Sequence, residues 1–170
     1  MPTLLQINSV ANMGSTGRIA EGIGQAAIKA GWKSYIAYGR YANPSRSELI
    51  KIGNKWDIWN HVLQTRLFDR HGLVSKQATK RLIQQIEEIK PDIIHLHNIH
   101  GYYLNYPILF EYLSKTNIPV VWTLHDCWPF TGHCAYFSYI NCEKWKWQCK
   151  QCMNKKEYPT SLGLDNSNTN

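Results

Sequence analysis

The sequence predicts an α/β domain built on a doubly wound, mainly parallel sheet, and three observations carry that reading. Apolar runs of strand length alternate along the first 130 residues with segments of helical period. The first two strands are joined by a single helix with a short return, an order that makes neighbouring strands parallel. Three of the predicted strands end in runs rich in Gly, His, Asn or Asp, and a parallel sheet gathers such ends on one edge.

The elements follow in order. Thr3–Ser9 reads as a buried strand, and Asn12-Met13-Gly14-Ser15-Thr16-Gly17-Arg18 is a glycine-rich turn that opens a helix. Ile19, Ile23, Ala26, Ala27 and Ala30 form its expected inner stripe, and Gly31 is its natural stop. Ser34–Tyr38 gives a second strand, and residues 39–54 read as loop. A helix is expected from Trp56 to Phe68, with Trp59, Val62, Leu63 and Leu67 facing inward. Another runs from Lys76 to Ile89, with Leu82, Ile83, Ile86 and Ile89 at helical spacing. Past Pro91, Ile93–His97 is a strand, Tyr106–Ser114 a short helix and Val120–Leu124 a further strand. After Phe130 the alternation stops. Residues 131–158 are dense in Cys, Trp, Lys and Tyr without a clean period, and residues 159–170 form a polar tail expected to be mobile at its end. The expected organisation is thus a domain over 1–130, a Cys-rich insertion of the same domain over 131–158, and the tail.

Composition narrows the function classes. With 44% apolar and 18% charged residues, the 170-residue chain has a globular rather than a disordered balance. The formal charge is +7, with much of the excess in Lys144–Lys156. Such a surface attracts nucleic acid, anionic lipid or phosphorylated substrates without choosing among them. No run approaches the roughly 18 apolar residues that span a bilayer, and the first residues lack the basic n-region of a secretory signal. The expected location is cytoplasmic, at or near the inner membrane face.

The chemistry is expected where the three strand ends meet. Gly14 and Gly17 precede a helix N-terminus, where backbone N–H groups and the helix dipole favour an anion, and Arg18 adds a charge-assisted contact. A tight turn without a ligand explains the same glycines. The second run, His95-Leu96-His97-Asn98-Ile99-His100-Gly101-Tyr102-Tyr103, carries three imidazoles. His95 reads as a satisfied core histidine, whereas His97 and His100 are the site candidates, and the tyrosines suit the C–H faces of a sugar. In the third run, His125-Asp126-Cys127-Trp128-Pro129-Phe130-Thr131-Gly132-His133-Cys134, a carboxylate beside a histidine can orient it toward a substrate oxygen. A structural His–Asp cap is the plain alternative. Cys134, Cys142, Cys149 and Cys152 end in a Cys-x2-Cys pair, the usual half of a tetrahedral site, so a structural zinc is expected, with free thiols or disulfides as the alternatives.

On the Asn12–Ala20, His95–Tyr103 and His125–Cys134 motifs, the sequence resembles the family-4 glycosyltransferases, retaining enzymes of the GT-B fold. The likeness is nearest to a bacterial subgroup with a Cys-rich insertion that ends near Tyr158-Pro159 and is followed by a segment like Asp165-Asn166-Ser167. The resemblance implies the Rossmann-like N-terminal half of a two-domain enzyme of polysaccharide or glycolipid synthesis. It implies that Gly14, Ser15, Thr16, Gly17 and Arg18 face the phosphates of a nucleotide-sugar donor. His97, Asn98, His100, Tyr102 and Tyr103 then lie on the acceptor side, toward a glycan or lipid-linked acceptor. His125, with Asp126 beside it, matches the histidine that contacts the transferred sugar. The donor-binding C-terminal domain, with its Glu-x7-Glu-type motif, is not among these 170 residues, so the chain is expected to be a truncated domain, inactive alone.

Two rival readings remain at this point. One is a zinc-stabilised nucleic-acid-binding module that uses Lys144-Trp145-Lys146-Trp147 as an aromatic, basic platform; the α/β character of the rest argues against specific nucleic-acid recognition. The other is a non-catalytic pairing subunit of a glycosyltransferase. Peripheral membrane association is expected under the enzyme reading.

Overall fold

The first strand, β1 (Thr3–Asn8), is buried along its whole length, as a central strand of a parallel sheet must be. It leads into α1 (Gly14–Lys29), then β2 (Lys33–Tyr38), β3 (Glu48–Lys51), α2 (Lys55–Phe68), α3 (Lys76–Ile89), β4 (Ile93–Leu96), α4 (Tyr106–Leu113) and β5 (Val120–Trp122). In the computed structural model, which describes residues 1–167, these strands form one all-parallel sheet in the order β3-β2-β1-β4-β5. The winding direction reverses between β1 and β4, which makes their carboxyl ends the switch point of a doubly wound fold. Of the polar tail, residues 168–170 lie outside the described residues.

Alternation along the strands sorts the two faces. Leu5 and Ile7 of β1, Ala37 of β2 and Ile94 and Leu96 of β4 pack against Leu82 and Ile86 of α3 and Leu109 and Leu113 of α4. Ile36 packs with Ala20 of α1 on the other face. On that same face, Gln6 pairs in register with His95, and the next outward position of the chain is His97. One face is therefore aliphatic, while the other turns polar toward β4 and β5.

Four local features differ from the sequence expectation. A short edge strand, β3, occupies part of the stretch read as loop; four residues with charged ends give little periodic signal. Helix α1 buries Gly17, Ala20, Glu21 and Gly24 rather than the expected isoleucine stripe, and Ile19 is exposed. Small residues win that face because the helix lies close to the sheet: a Cβ on Gly24 would overlap the Ser47 and Ser34 hydroxyls. Buried Glu21 repays its desolvation by accepting from the Ser45 hydroxyl, Arg46 N and Gln25 Nε2. Helix α2, begun by a capping box of Asn54 and Asp57, is turned opposite to expectation. It buries His61 and Thr65 and exposes Trp59, Leu63 and Leu67. The polar face is held inside because His61 bonds the Ser75 hydroxyl at 2.8 Å and Gly72 N at 3.0 Å, and Thr65 donates to the His61 carbonyl.

The fourth difference is the expected zinc site, which the structure overturns. Among the described residues no three or more His, Cys, Asp or Glu side chains are grouped to hold a metal ion. All five cysteines are free thiols. Cys134 and Cys152 share a thiol hydrogen bond, which lowers the Cys152 thiol and raises the Cys134 thiol, while Cys149 is hydrogen-bonded to the Gly132 backbone. That is a pair rather than the four-thiolate set that tetrahedral zinc requires. The irregular segment is held by other means. Phe130, Phe137 and Trp145 pack with ring centroids 5.2 to 6.2 Å apart, and Tyr139 donates to Asn154 Oδ1 at 2.7 Å. Turning Trp145 inward leaves Trp147 as the exposed ring of the Lys-Trp-Lys-Trp run.

Candidate functional site

The three strand-end loops lie side by side at the switch point, because β1 is flanked by β4 and β4 by β5, all parallel. After β1 the chain turns through Asn12 and Gly14, both with positive φ, into α1. Met13 gives that helix no side-chain cap for its first N–H groups, and Gly14, Ser15 and Arg18 around them are exposed. Gly17 has a different part. It is buried, and a Cβ there would come 3.1 Å from Val10 Cγ2, so this glycine seats the helix against the strand end. Thr16 is partly buried beside Asn8, whose amide donates to the Val10 carbonyl.

On the polar face of β4 and β5 the side chains form a column of imidazoles. His95 and His97 stack with centroids 4.2 Å apart, and His97 and His125 with centroids 5.2 Å apart. His95 bonds the Thr123 hydroxyl at 2.8 Å, the satisfied core role expected of it. His97 is 1% exposed and is bonded on both ring nitrogens. The direction of those bonds follows from one fixed end. Gln6 donates its amide N–H to the Ala20 carbonyl at 2.8 Å, so its Oε1 must be the atom facing His97 Nε2 at 3.0 Å. His97 therefore carries its proton on Nε2 and offers the Nδ1 lone pair. At 3.0 Å that lone pair accepts from His125 Nε2–H. Burial, with His95 and His125 adding to it, pushes His97 down to about 3, so it stays neutral and the relay keeps its direction. His125, only partly buried, is left with Nδ1 as its free acceptor. Burial also lowers His125, against the pull of Asp126.

Asp126 turns away from this column. Its Oδ2 lies 2.7 Å from His100 Nε2 and its Oδ1 accepts from Trp128 N at 3.0 Å. Burial works against ionisation, but these bonds hold its carboxyl below the usual range. The other nitrogen of His100 bonds the Tyr158 hydroxyl at 2.8 Å. This pair thus ties the loop after β4 to the end of β5 and to the far end of the Cys-rich segment. The loop is pinned elsewhere as well: Tyr103 donates to the Asn98 carbonyl at 2.7 Å, Asn98 N donates to Asn8 Oδ1, and Trp122 Nε1 donates to the His97 carbonyl. Gly39 makes room for Tyr103, since a Cβ there would overlap its ring. Tyr102 is half-buried with φ of 69°. Behind the loop lies a cavity of about 250 Å3 lined by Asp69, His71, Trp128 and His133 among others, in which His133 bonds Asp69 at 2.8 Å.

The structure thus sets Gly14–Arg18, His97, Asn98 and His125 on the carboxyl-end edge of the sheet, with Asn8 linking Thr16 to Asn98 and His97 bonded to His125, and places His100 and Asp126 as a buried brace between the loops after β4 and β5. Sequence reasoning missed Gln6, Tyr158 and His71, which accepts from Gly101 N. Gln6 did leave a signal, as the polar residue inside the buried run Thr3–Asn8.

Residues 16–155 match the family described as Glycosyltransferase Family 4. A curated relative, "Putative colanic acid biosynthesis glycosyl transferase WcaC" of Escherichia coli (strain K12), is 27% identical over 168 residues, covering 92% of this chain. The chain spans 40% of that relative's length. No solved structure matches it.

Proposed function

The chain belongs to glycosyltransferase family 4, and from that premise we propose that it forms the acceptor-side wall of an enzyme that moves a sugar from a nucleotide-sugar donor to a glycan or lipid-linked acceptor. What supports the reading is that the uncapped α1 N-terminus, after β1, and the free Nδ1 of His125, after β5, both lie on the carboxyl-end edge of the one parallel sheet. The first favours the donor's phosphates, since helix N-terminal N–H groups and the dipole attract anions. The second offers an acceptor for a sugar hydroxyl, held in place by a neutral relay. His97 and Asp126 serve by positioning rather than by touching the sugar, because both are bonded within the protein. Asn98 and Tyr102 border the acceptor side.

Transfer requires donor and acceptor in near-attack geometry, which one wall of a cleft does not impose. The relative's length supports a second wall. In an assay with labelled nucleotide sugars and polyprenyl-linked acceptors, the protein as the cell makes it is expected to transfer sugar, and the 170-residue chain alone is not. Robust turnover by the isolated chain, or a native protein that neither binds nor consumes nucleotide sugars, would overturn this reading.

A further inference from the structure

The cavity behind the loop after β4 stands apart from the strand-end site. Its volume is about 250 Å3, and Asp69, His71, Leu73, Tyr106, Trp128 and His133 are among the residues that line it. Four distant stretches meet there: the α2–α3 connection, the start of α4, the turn after β5 and the first residues of the Cys-rich segment. None of Gly14–Arg18, His97, Asn98 or His125 lines it. Gly72 lets its walls approach, since a Cβ there would come 2.9 Å from Tyr106 Cδ1 and 3.2 Å from Trp128 Cζ2, at a φ of 74°.

Two imidazole nitrogens distinguish this cavity from a packing gap. His71 is 7% exposed and His133 3%, yet His71 Nδ1 and His133 Nε2 have no hydrogen-bond partner among the described residues. Buried polar groups are as a rule paired. The role of each nitrogen follows from its ring partner. His71 Nε2 accepts from Gly101 N at 3.3 Å, and burial, with His100 next, pushes the ring well below its usual value. His71 is therefore neutral, and its Nδ1 is an N–H donor. His133 Nδ1 donates to Asp69 Oδ1 at 2.8 Å, so its Nε2 is a lone pair in the neutral ring and an N–H in the charged one. Both oxygens of Asp69 are engaged, Oδ2 by Asn166 N. A cation finds no free carboxylate here and meets the His71 N–H, and an anion cannot serve the His133 lone pair. A hydroxyl both donates and accepts, so it suits His71 and either state of His133. The Trp128 and Tyr106 rings, with centroids 5.6 Å apart and nearly perpendicular, supply the apolar wall for the C–H groups of the same ligand. The volume is many times what one bridging water needs and lies just under the ~300 Å3 at which pockets for larger organic ligands begin. That is the size class of a single ring.

We propose that this cavity binds one pyranose, its hydroxyls bridging His71 and His133, at a site separate from that of sugar transfer. The site does not rest on the transferase reading. Through His71, which is bonded to Gly101 N, an occupant reaches the loop after β4.

The test is imidazole nitrogen NMR of the protein as the cell makes it, titrated with glucose, galactose, mannose and, separately, inorganic phosphate, with no nucleotide present. The expected result is a saturable one-to-one shift of the His71 and His133 nitrogens by at least one of the sugars and none by phosphate. Leu73→Trp fills the cavity from its lining and removes no side-chain hydrogen bond. It should weaken sugar binding roughly tenfold or more with unchanged circular dichroism, and Leu73→Phe is the milder filling should tryptophan unfold the domain. Four results would overturn the proposal: no shift by any of the three sugars, a shift by phosphate in their place, a shift at His125 with His71 and His133 unmoved, or sugar binding that the folded filled variant leaves intact. No donor enters the titration. Sugar binding at His71 and His133 in a native protein that transfers nothing would remove the enzyme reading and leave this site standing, and transfer without those shifts would do the reverse.

Discussion

Gln6 decides the state of a histidine it never touches. Its amide is fixed by the Ala20 carbonyl, which can only accept, and every bond outward to His125 then has one direction. Proton gain at His125 takes place at Nδ1, leaving the relay undisturbed. Imidazole nitrogen NMR is expected to find His97 and His125 both protonated on Nε2 at neutral pH. In Gln6→Leu the preference at His125 should weaken, with a stability loss of about 1–3 kcal/mol for the buried partner left unmet. An Nδ1–H form of His125 in the native protein would contradict the relay. His97, His100 and His125 were legible in the sequence because imidazoles at strand ends are few and chemically pointed. Their pairing was not: Asp126 follows His125 in the chain yet bonds His100, and Gln6 reaches His97 across 91 positions.

At the scale of elements, period was readable and orientation was not. The 3.6-residue stripes of α1 and α2 are present, but α1 buries its small residues and α2 its polar ones. In α1, close approach to the sheet favours Gly17, Ala20 and Gly24. In α2, the interior supplies His61 with Ser75 and Gly72, so the polar side is the satisfied side. Helix α3 conforms because Leu82 and Ile86 meet an aliphatic sheet face. The inversion of α2 gives opposite mutational outcomes to those of an ordinary amphipathic helix. Leu63→Ala and Leu67→Ala are expected to change stability by no more than about 0.5 kcal/mol, as surface substitutions do. His61→Leu should cost about 1–3 kcal/mol by stranding the Gly72 N–H and the Ser75 hydroxyl. Urea unfolding of the three variants measures both, and a large loss at Leu63 with none at His61 would mean the helix faces the other way.

Across the whole molecule, buried neutral histidines set the acid limit. Burial holds His61 and His97 each at about 3 in the folded chain, well under the ordinary 6.5. Below pH 6.5 the unfolded chain takes up protons that these two refuse when folded. Stability should therefore fall between about pH 6.5 and 3, by up to about 1.4 kcal/mol per pH unit for each histidine. His133 works the other way. Burial opposes its charge, but the Asp69 bond raises it above 6.5, so its contribution is present below that value and lost as pH climbs through the folded one. Chemical denaturation from pH 7 to pH 4 checks the balance, and stability that stays flat would show that His61 and His97 are open to protonation. No helix among the described residues is long and apolar enough to cross a membrane. By itself the sequence determined the parallel α/β architecture and the edge on which its loops gather, because strand and helix periods and short connections are local properties. Only the tertiary structure decided which histidine bonds which partner, which side of α2 meets water, and that the cysteines form a pair rather than a metal site. Those outcomes depend on atoms brought together from distant parts of the chain, where competing contacts are settled by burial and by the hydrogen bonds that burial demands.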